Sequence, residues 1–256
     1  MPVAAALLLT LLALGGTAAS AVAQNAAPEA RALLVAWHED PARIDRARAL
    51  FESAAVADPS PETLTDLSHT WFLTGEFRAP GEAERVAAYE RGVEAARRAI
   101  AAAPRLDRAH FYVAINSGRL AELRGLTGAV GLVGTIREES ETVLRLNPTN
   151  VEGLILAASL AARMPRVLGG DRAKAEVLFR QALELDPHHT GGRLELARLY
   201  VATRRWRQAE RELQLVLNDP SPTDLPRWTV SERARARTLL IEVYERRGIT
   251  GAPQSP

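Results

Sequence analysis

The first places to look for chemistry in this chain are its histidines and paired acids. His188-His189 offers two imidazoles, but no third His, Cys or carboxylate stands at a spacing that completes a metal site, so the pair reads as a solvated linker. His38-Glu39-Asp40 lacks the second histidine four residues from the first that a zinc-protease helix needs, and it reads as a helix end before Pro41. Glu138 and Glu139 are adjacent, so on a helix they point in different directions and suit solvation better than a shared proton. There is no Gly-x-Ser-x-Gly elbow for a nucleophile, and the sparse histidines build no Ser-His-Asp arrangement along the sequence.

Gly125, Gly128, Gly131 and Gly134 recur every third residue, but no strand precedes them and no Gly-Lys-Ser/Thr follows, which excludes a phosphate loop. Two readings of that run stay open. It is an intra-repeat loop whose bare backbone permits tight packing, or an apolar flap over a ligand groove or partner contact. The expectation from these residues is a protein with no catalytic group, no metal and no cofactor, hence not an enzyme.

Composition points to binding by shape. With 32 basic and 31 acidic residues the net charge is +1, which gives no bulk field for nucleic acid. Cysteine is absent, so disulfides, thiolate metal sites and a lipid anchor on Cys are all excluded. Ala, Leu, Arg and Glu dominate, and no run alternates as a strand would, so helix is expected throughout.

From Val3 to Leu14 the chain is apolar, then Gly15-Gly16 precede Ala21-Val22-Ala23, the small-x-small pattern read by signal peptidases. Residues 1–23 are therefore expected to be a signal peptide, with cleavage before Gln24 and a periplasmic or secreted product. Retention of the segment as a membrane anchor is the alternative, because no charge occurs before Glu29. One helical domain over 24–250 and a disordered tail over 251–256 complete this reading.

Proline sets the period. Pro59, Pro104, Pro148, Pro187 and Pro220 each follow a stretch with helical apolar spacing and stand 33 to 45 residues apart. Proline cannot continue a helix, so each one ends the second helix of a pair and turns the chain into the next. In the last full unit Leu196, Ala197 and Tyr200 on the first helix and Ala209 on the second recur in the phase at which tetratricopeptide repeats (TPR) carry Leu, a small residue, Tyr and a small residue. The preceding unit supplies Ala175, Phe179, Ala182 and Pro187, and the first supplies Ala47, Phe51, Ala54 and Pro59.

On these residues the chain resembles the TPR family, which implies an all-α solenoid. About five hairpins are expected, at 29–38/42–57, 62–75/82–103, 106–124/135–146, 150–162/171–185 and 190–203/205–218. A capping helix from Thr229 to Arg247 should present Glu232, Arg233, Arg235 and Arg237 to solvent. Asp171, after the Gly169-Gly170 turn, is placed to cap the helix that follows.

The order Ala109-His110-Phe111-Tyr112-Val113-Ala114, the glycine-rich insert, Leu146-Asn147-Pro148 and Met164-Pro165-Arg166-Val167-Leu168-Gly169-Gly170-Asp171 is more particular. Over about residues 60–220 it is similar to the T-components of TRAP transporters and the regulator of microtubule dynamics proteins. That resemblance implies a scaffold for a protein or peptide partner, a solute-binding protein among the candidates. The alternative it implies is an accessory component of solute uptake, with a small-ligand pocket bounded by 125–134 and 163–170.

In a TPR-like stack the first helix of each pair lines the concave face. Counting from the prolines places Phe111, Tyr112, Asn116, Arg119, Arg163, Glu195 and Arg198 there, an aromatic surface with guanidinium forks that suits a carboxylate or an extended acidic peptide. No nucleic-acid partner is expected, and membrane contact only if the N-terminal segment is retained.

Overall fold

A computed structural model describes residues 26–249, so the signal-peptide reading of 1–23 and the tail reading of 251–256 lie outside the described residues. Among the described residues the chain is all-helical, with no strand. None of its helices there is long and apolar enough to cross a membrane.

The chain divides into two compact units with the boundary after Val133. In the first, α1 (26–35) and α2 (Ala42–Ala57) form one hairpin, α3 (Pro61–Phe77) and α4 (Glu82–Ala102) a second, and α5 (Asp107–Leu146) begins a third. The second unit holds the remainder of α5, then α6 (Val151–Arg163), a tight turn at Arg166–Leu168, α7 (Arg172–Leu185), α8 (Thr190–Ala202) and α9 (Trp206–Leu217). It ends with a short helical turn α10 (Leu225–Arg227), a π-turn (Trp228–Glu232) and α11 (Arg233–Arg246).

The punctuation is local chemistry. Helices α2, α4, α5, α7 and α9 each stop two or three residues before a repeat proline. Several of the next helices begin with a side chain that satisfies a free backbone N–H. Ser60 accepts from Thr63 N at 3.2 Å for α3, and Asn150 from Gly153 N at 2.8 Å for α6. Asp171 caps α7 as its position implies, accepting from Ala173 N and Lys174 N at 2.9 and 3.0 Å.

The repeat positions fill the cores. Ala47 and Phe51 are buried with Ala30, Leu64, Leu67 and Trp71 in the first unit. In the second, Ala175, Phe179, Ala182, Leu196, Ala197, Tyr200 and Ala209 share one cluster with Leu154, Leu213 and Leu240. The alanines are fully buried because they let helix axes close up, and the phenylalanines fill the space between rods. Truncating a ring as enclosed as that of Phe179 costs about 3–5 kcal/mol.

Four details depart from the sequence expectations. The first helix runs over 26–35, a few residues earlier than 29–38, and the next turn takes up residues 36–39. The glycine-rich insert is helical: α5 is interrupted only at Gly125, whose φ of 63° and ψ of −170° glycine alone adopts easily. Its glycines form no continuous tight-packing stripe: a Cβ on Gly128 would lie 2.5 Å from Arg124 Cβ in the same helix, but one on Gly131 or Gly134 would meet nothing within 4 Å. Finally, Glu232 does not face solvent: it is 2% exposed and accepts a 2.6 Å hydrogen bond from Thr190 Oγ1 at the start of α8.

Candidate binding face

In the second unit α6 and α8 are the first helices of neighbouring pairs, and three of the expected face residues meet there. Arg163 on α6 donates to Glu195 on α8 at 2.9 Å, and Arg198, one turn along α8, lies 3.6 Å from the same carboxylate. Glu195 is largely covered, with 19% of its side chain exposed, whereas Arg163 and Arg198 keep 51% and 41%. One carboxylate therefore gathers two guanidiniums and leaves part of each fork facing water.

The first unit treats its predicted residues differently. Asn116 is fully buried, where its amide donates to Tyr112 O at 2.8 Å and lies 3.4 Å from Ser68 Oγ. A Cβ on Gly92 would sit 2.5 Å from Asn116 Oδ1, so α4 carries glycine there to admit the amide. Asn116 is thus a packing group that no partner can reach, and not a residue of the expected face.

Tyr112 is only 9% exposed; it stacks on His69 at 5.2 Å and meets half-buried Phe111 edge to face at 5.2 Å. Arg119 is held by Glu76 at 3.0 Å and Glu122 at 2.8 Å, with 23% of its side chain exposed. Glu76 also accepts from Tyr89 Oη at 2.5 Å, and burial together with that carboxylate pushes the phenol far above its ordinary range.

A constellation the sequence reading missed lies in the same unit. Asp66 on α3 takes Arg31 Nε of α1 and Arg108 Nη2 of α5, each at 2.6 Å. Its side chain is 7% exposed, while the two arginines keep 50% and 47%. The available signal was Asp66 itself, a carboxylate within the Leu64–Leu67 stretch of a helix whose other acids, Glu62 and Glu76, stand near its two ends.

Other possible sites resolve into structure. His188, Asp219 and Ser221 come together, but Asp219 Oδ1 at 2.9 Å and Ser221 Oγ at 3.4 Å both face the same nitrogen, Nδ1. A relay needs the serine on the other ring nitrogen, so this group ties a turn and does not activate a nucleophile. His189 is not solvated linker either: its Nδ1 accepts from Gly192 N at 2.9 Å and its Nε2 lies 3.2 Å from Glu152 Oε1. Among the described residues no group of three or more His, Asp or Glu side chains is placed to hold a metal ion.

The glycine-rich segment borders an open groove of about 480 Å³ within the first unit, between α4 and α5, with Val93, Leu120 and Leu132 at its apolar floor and Arg97, Arg98 and Arg124 at its rim. It is not the closed apolar pocket that the uptake reading requires.

Residues 168–228 match the family model of the tetratricopeptide repeat. Among solved structures the chain is similar to TTC0263, a thermophilic TPR protein of Thermus thermophilus, at 24% identity, covering 86% of this chain and 99% of that one with a TM-score of 0.64. It is also similar to PilF of Pseudomonas aeruginosa, at 16% identity, covering 89% of this chain and 86% of that one with a TM-score of 0.54. At these identities the likeness is one of fold. No curated protein matches the chain, and nothing in the matches points to the TRAP-component type.

Proposed function

We propose that this chain, whose fold is that of a tetratricopeptide-repeat array, works by holding a protein or peptide partner with acidic side chains on the face of its first-of-pair helices. The observation that carries the reading is the Arg163–Glu195–Arg198 group, in which one largely covered carboxylate bonds half-exposed Arg163 of α6 at 2.9 Å and draws half-exposed Arg198 of α8 to 3.6 Å. Fixed forks lose less rotamer freedom on meeting a carboxylate than free ones do, so preorganisation favours binding there.

The test is site-directed photo-crosslinking in intact cells, with the crosslinker at Ser159 on α6 and, as a control, at exposed Val177 on α7. A partner captured from the α6 site, absent from the α7 site and lost in the double variant Arg163→Glu/Arg198→Glu supports the reading. Capture that survives the double charge reversal removes this face from it.

The proposal includes export, on the strength of the Val3–Leu14 apolar run and Ala21-Val22-Ala23. N-terminal sequencing of the mature protein should then begin at Gln24, and an intact Met1 would refute it.

A further inference from the structure

The junction between α6, α8 and the C-terminal helices is built around one histidine with two incompatible duties. His189 Nδ1 accepts from Gly192 N at 2.9 Å, which makes it the N-cap of α8, and a nitrogen that accepts carries no proton. The opposite nitrogen, Nε2, then bears the hydrogen and points it at Glu152 Oε1 of α6, 3.2 Å away. The ring is largely enclosed, with 12% of the side chain exposed.

Several charges face this ring. Glu152 approaches from α6, Glu232 from the π-turn and Arg227 from α10, while Asp224, the cap of α10, acts on Glu232. Gly191 separates the histidine from Glu232: a Cβ there would lie 2.9 Å from Glu232 Oε1 and 3.5 Å from His189 Cε1. Inside the first turn of α8 the backbone N–H groups and the helix dipole disfavour a cation, whereas the two glutamates favour one.

We propose that protonation of His189 exchanges its role, releasing the Gly192 N–H cap of α8 and making the ring a charged tie to Glu152 on α6. A proton on Nδ1 occupies the lone pair that the cap uses, so neither state can do both jobs. The charges around the ring favour the proton. Burial opposes the proton, but the hydrogen bond and charge of Glu152 outweigh it and hold the imidazole above its ordinary value.

The sign follows. A histidine raised in the folded state adds stability that is complete below about pH 6.5 and is lost as pH rises through its folded value. Acidification therefore strengthens the α6–α8 tie while opening the first turn of α8. Since α8 also carries Glu195 and Arg198, the switch acts on the helix of the proposed partner face. Its effect on a partner rests on that reading, whereas the exchange at His189 does not.

The test is NMR of the full chain between about pH 5 and 8, following the His189 Cε1–H shift and the protection of the Gly192 amide corrected for intrinsic exchange. The expected result is a His189 midpoint above that of free histidine and a parallel loss of Gly192 protection of about fivefold on acidification, the size of one lost N-cap. His189→Asn, which caps without titrating, should keep Gly192 protected throughout, and Glu152→Gln should lower the midpoint. A midpoint below the free value, or a Gly192 amide that does not follow the titration in the unsubstituted chain, overturns the proposal. Both readouts are independent of any partner, so they fail or succeed separately from the crosslinking test.

Discussion

Arg119 and Arg163 stand at the same place in two hairpins, each fifteen residues after a repeat proline, and yet they do different work. Arg119 is closed in by Glu76 and Glu122 and keeps 23% of its side chain exposed, while Arg163 pairs with Glu195 and keeps 51%. The difference lies in what a neighbouring hairpin delivers. In the first unit Glu76 arrives with the aromatic rings of Phe72 and Tyr89 beside it, and the guanidinium becomes part of the wall. In the second, Glu195 meets Arg163 and the fork stays half in water. Equivalent positions in a repeat array can thus be enclosed in one unit and half-exposed in the next.

The sharpest way to break this comparison is to reverse both charges. Arg119→Glu would put a third carboxylate against Glu76 and Glu122 in a partly enclosed site, and is expected to cost about 2–3 kcal/mol in chemical denaturation. Arg163→Glu, at an exposed pair, should stay within about 0.5 kcal/mol. Equal losses would show that the two positions are alike and that the second unit's arginine is also structural.

Two buried carboxylates extend the contrast. Asp66 is met by two guanidiniums at 2.6 Å, whereas Glu232 has a hydroxyl at 2.6 Å and its nearest guanidinium, Arg227, at 3.7 Å. Asp66→Asn should therefore destabilise the fold, by about 1–2 kcal/mol because both arginines are half-exposed. Glu232 is in the opposite situation. Burial raises its carboxyl above the ordinary range, with Asp224 adding to the rise, against the pull of Arg227, Thr190 and His189.

A carboxyl raised in the folded state contributes stability present below its unfolded value, about 4.3, and lost as pH rises through its folded value. At pH 7 its charge is a cost, so Glu232→Gln should match or exceed the unsubstituted chain in stability there. That advantage should shrink as pH falls toward 4, measured by denaturation midpoints across the range. A variant less stable at pH 7 by the same margin as Asp66→Asn would mean that the Glu232 charge is fully compensated.

What could be read from the sequence follows from range. The helix pairs and the positions of Phe51, Phe179, Ala175 and Ala209 were legible because small and aromatic residues repeat at helical spacing within one hairpin, and their burial depends on near neighbours. Asp66 and Glu232 were not, since each reads as a solvated acid until its partner is known, and Arg31 and Thr190 stand 35 and 42 residues away. His189 was missed for the opposite reason. Its cap to Gly192 is local, but a histidine beside a proline turn looks like linker, and serine, threonine, aspartate or asparagine is the expected cap. Asn116 failed on direction: it follows by one residue Ile115, which the count from Pro104 places on the face, and one step along a helix turns a side chain by roughly 100°.

The smallest expected effects belong to the glycines of α5, and they set the kink of that helix against the turns that follow it. Gly125 is needed: its positive φ ends one helical segment and begins the next, and a side chain there would be strained. Gly131 and Gly134 sit in helical backbone, exposed, with open space where a Cβ would go. They confer no close approach, so they only lower the helical stability of the segment that follows the kink. Gly131→Ala and Gly134→Ala should each stabilise the chain by about 0.5–1 kcal/mol, visible as higher denaturation midpoints, and Gly125→Ala should do the reverse. If the alanines at 131 and 134 instead destabilise, a surface that closes on the bare backbone must exist in solution, and the flap reading of this segment would return.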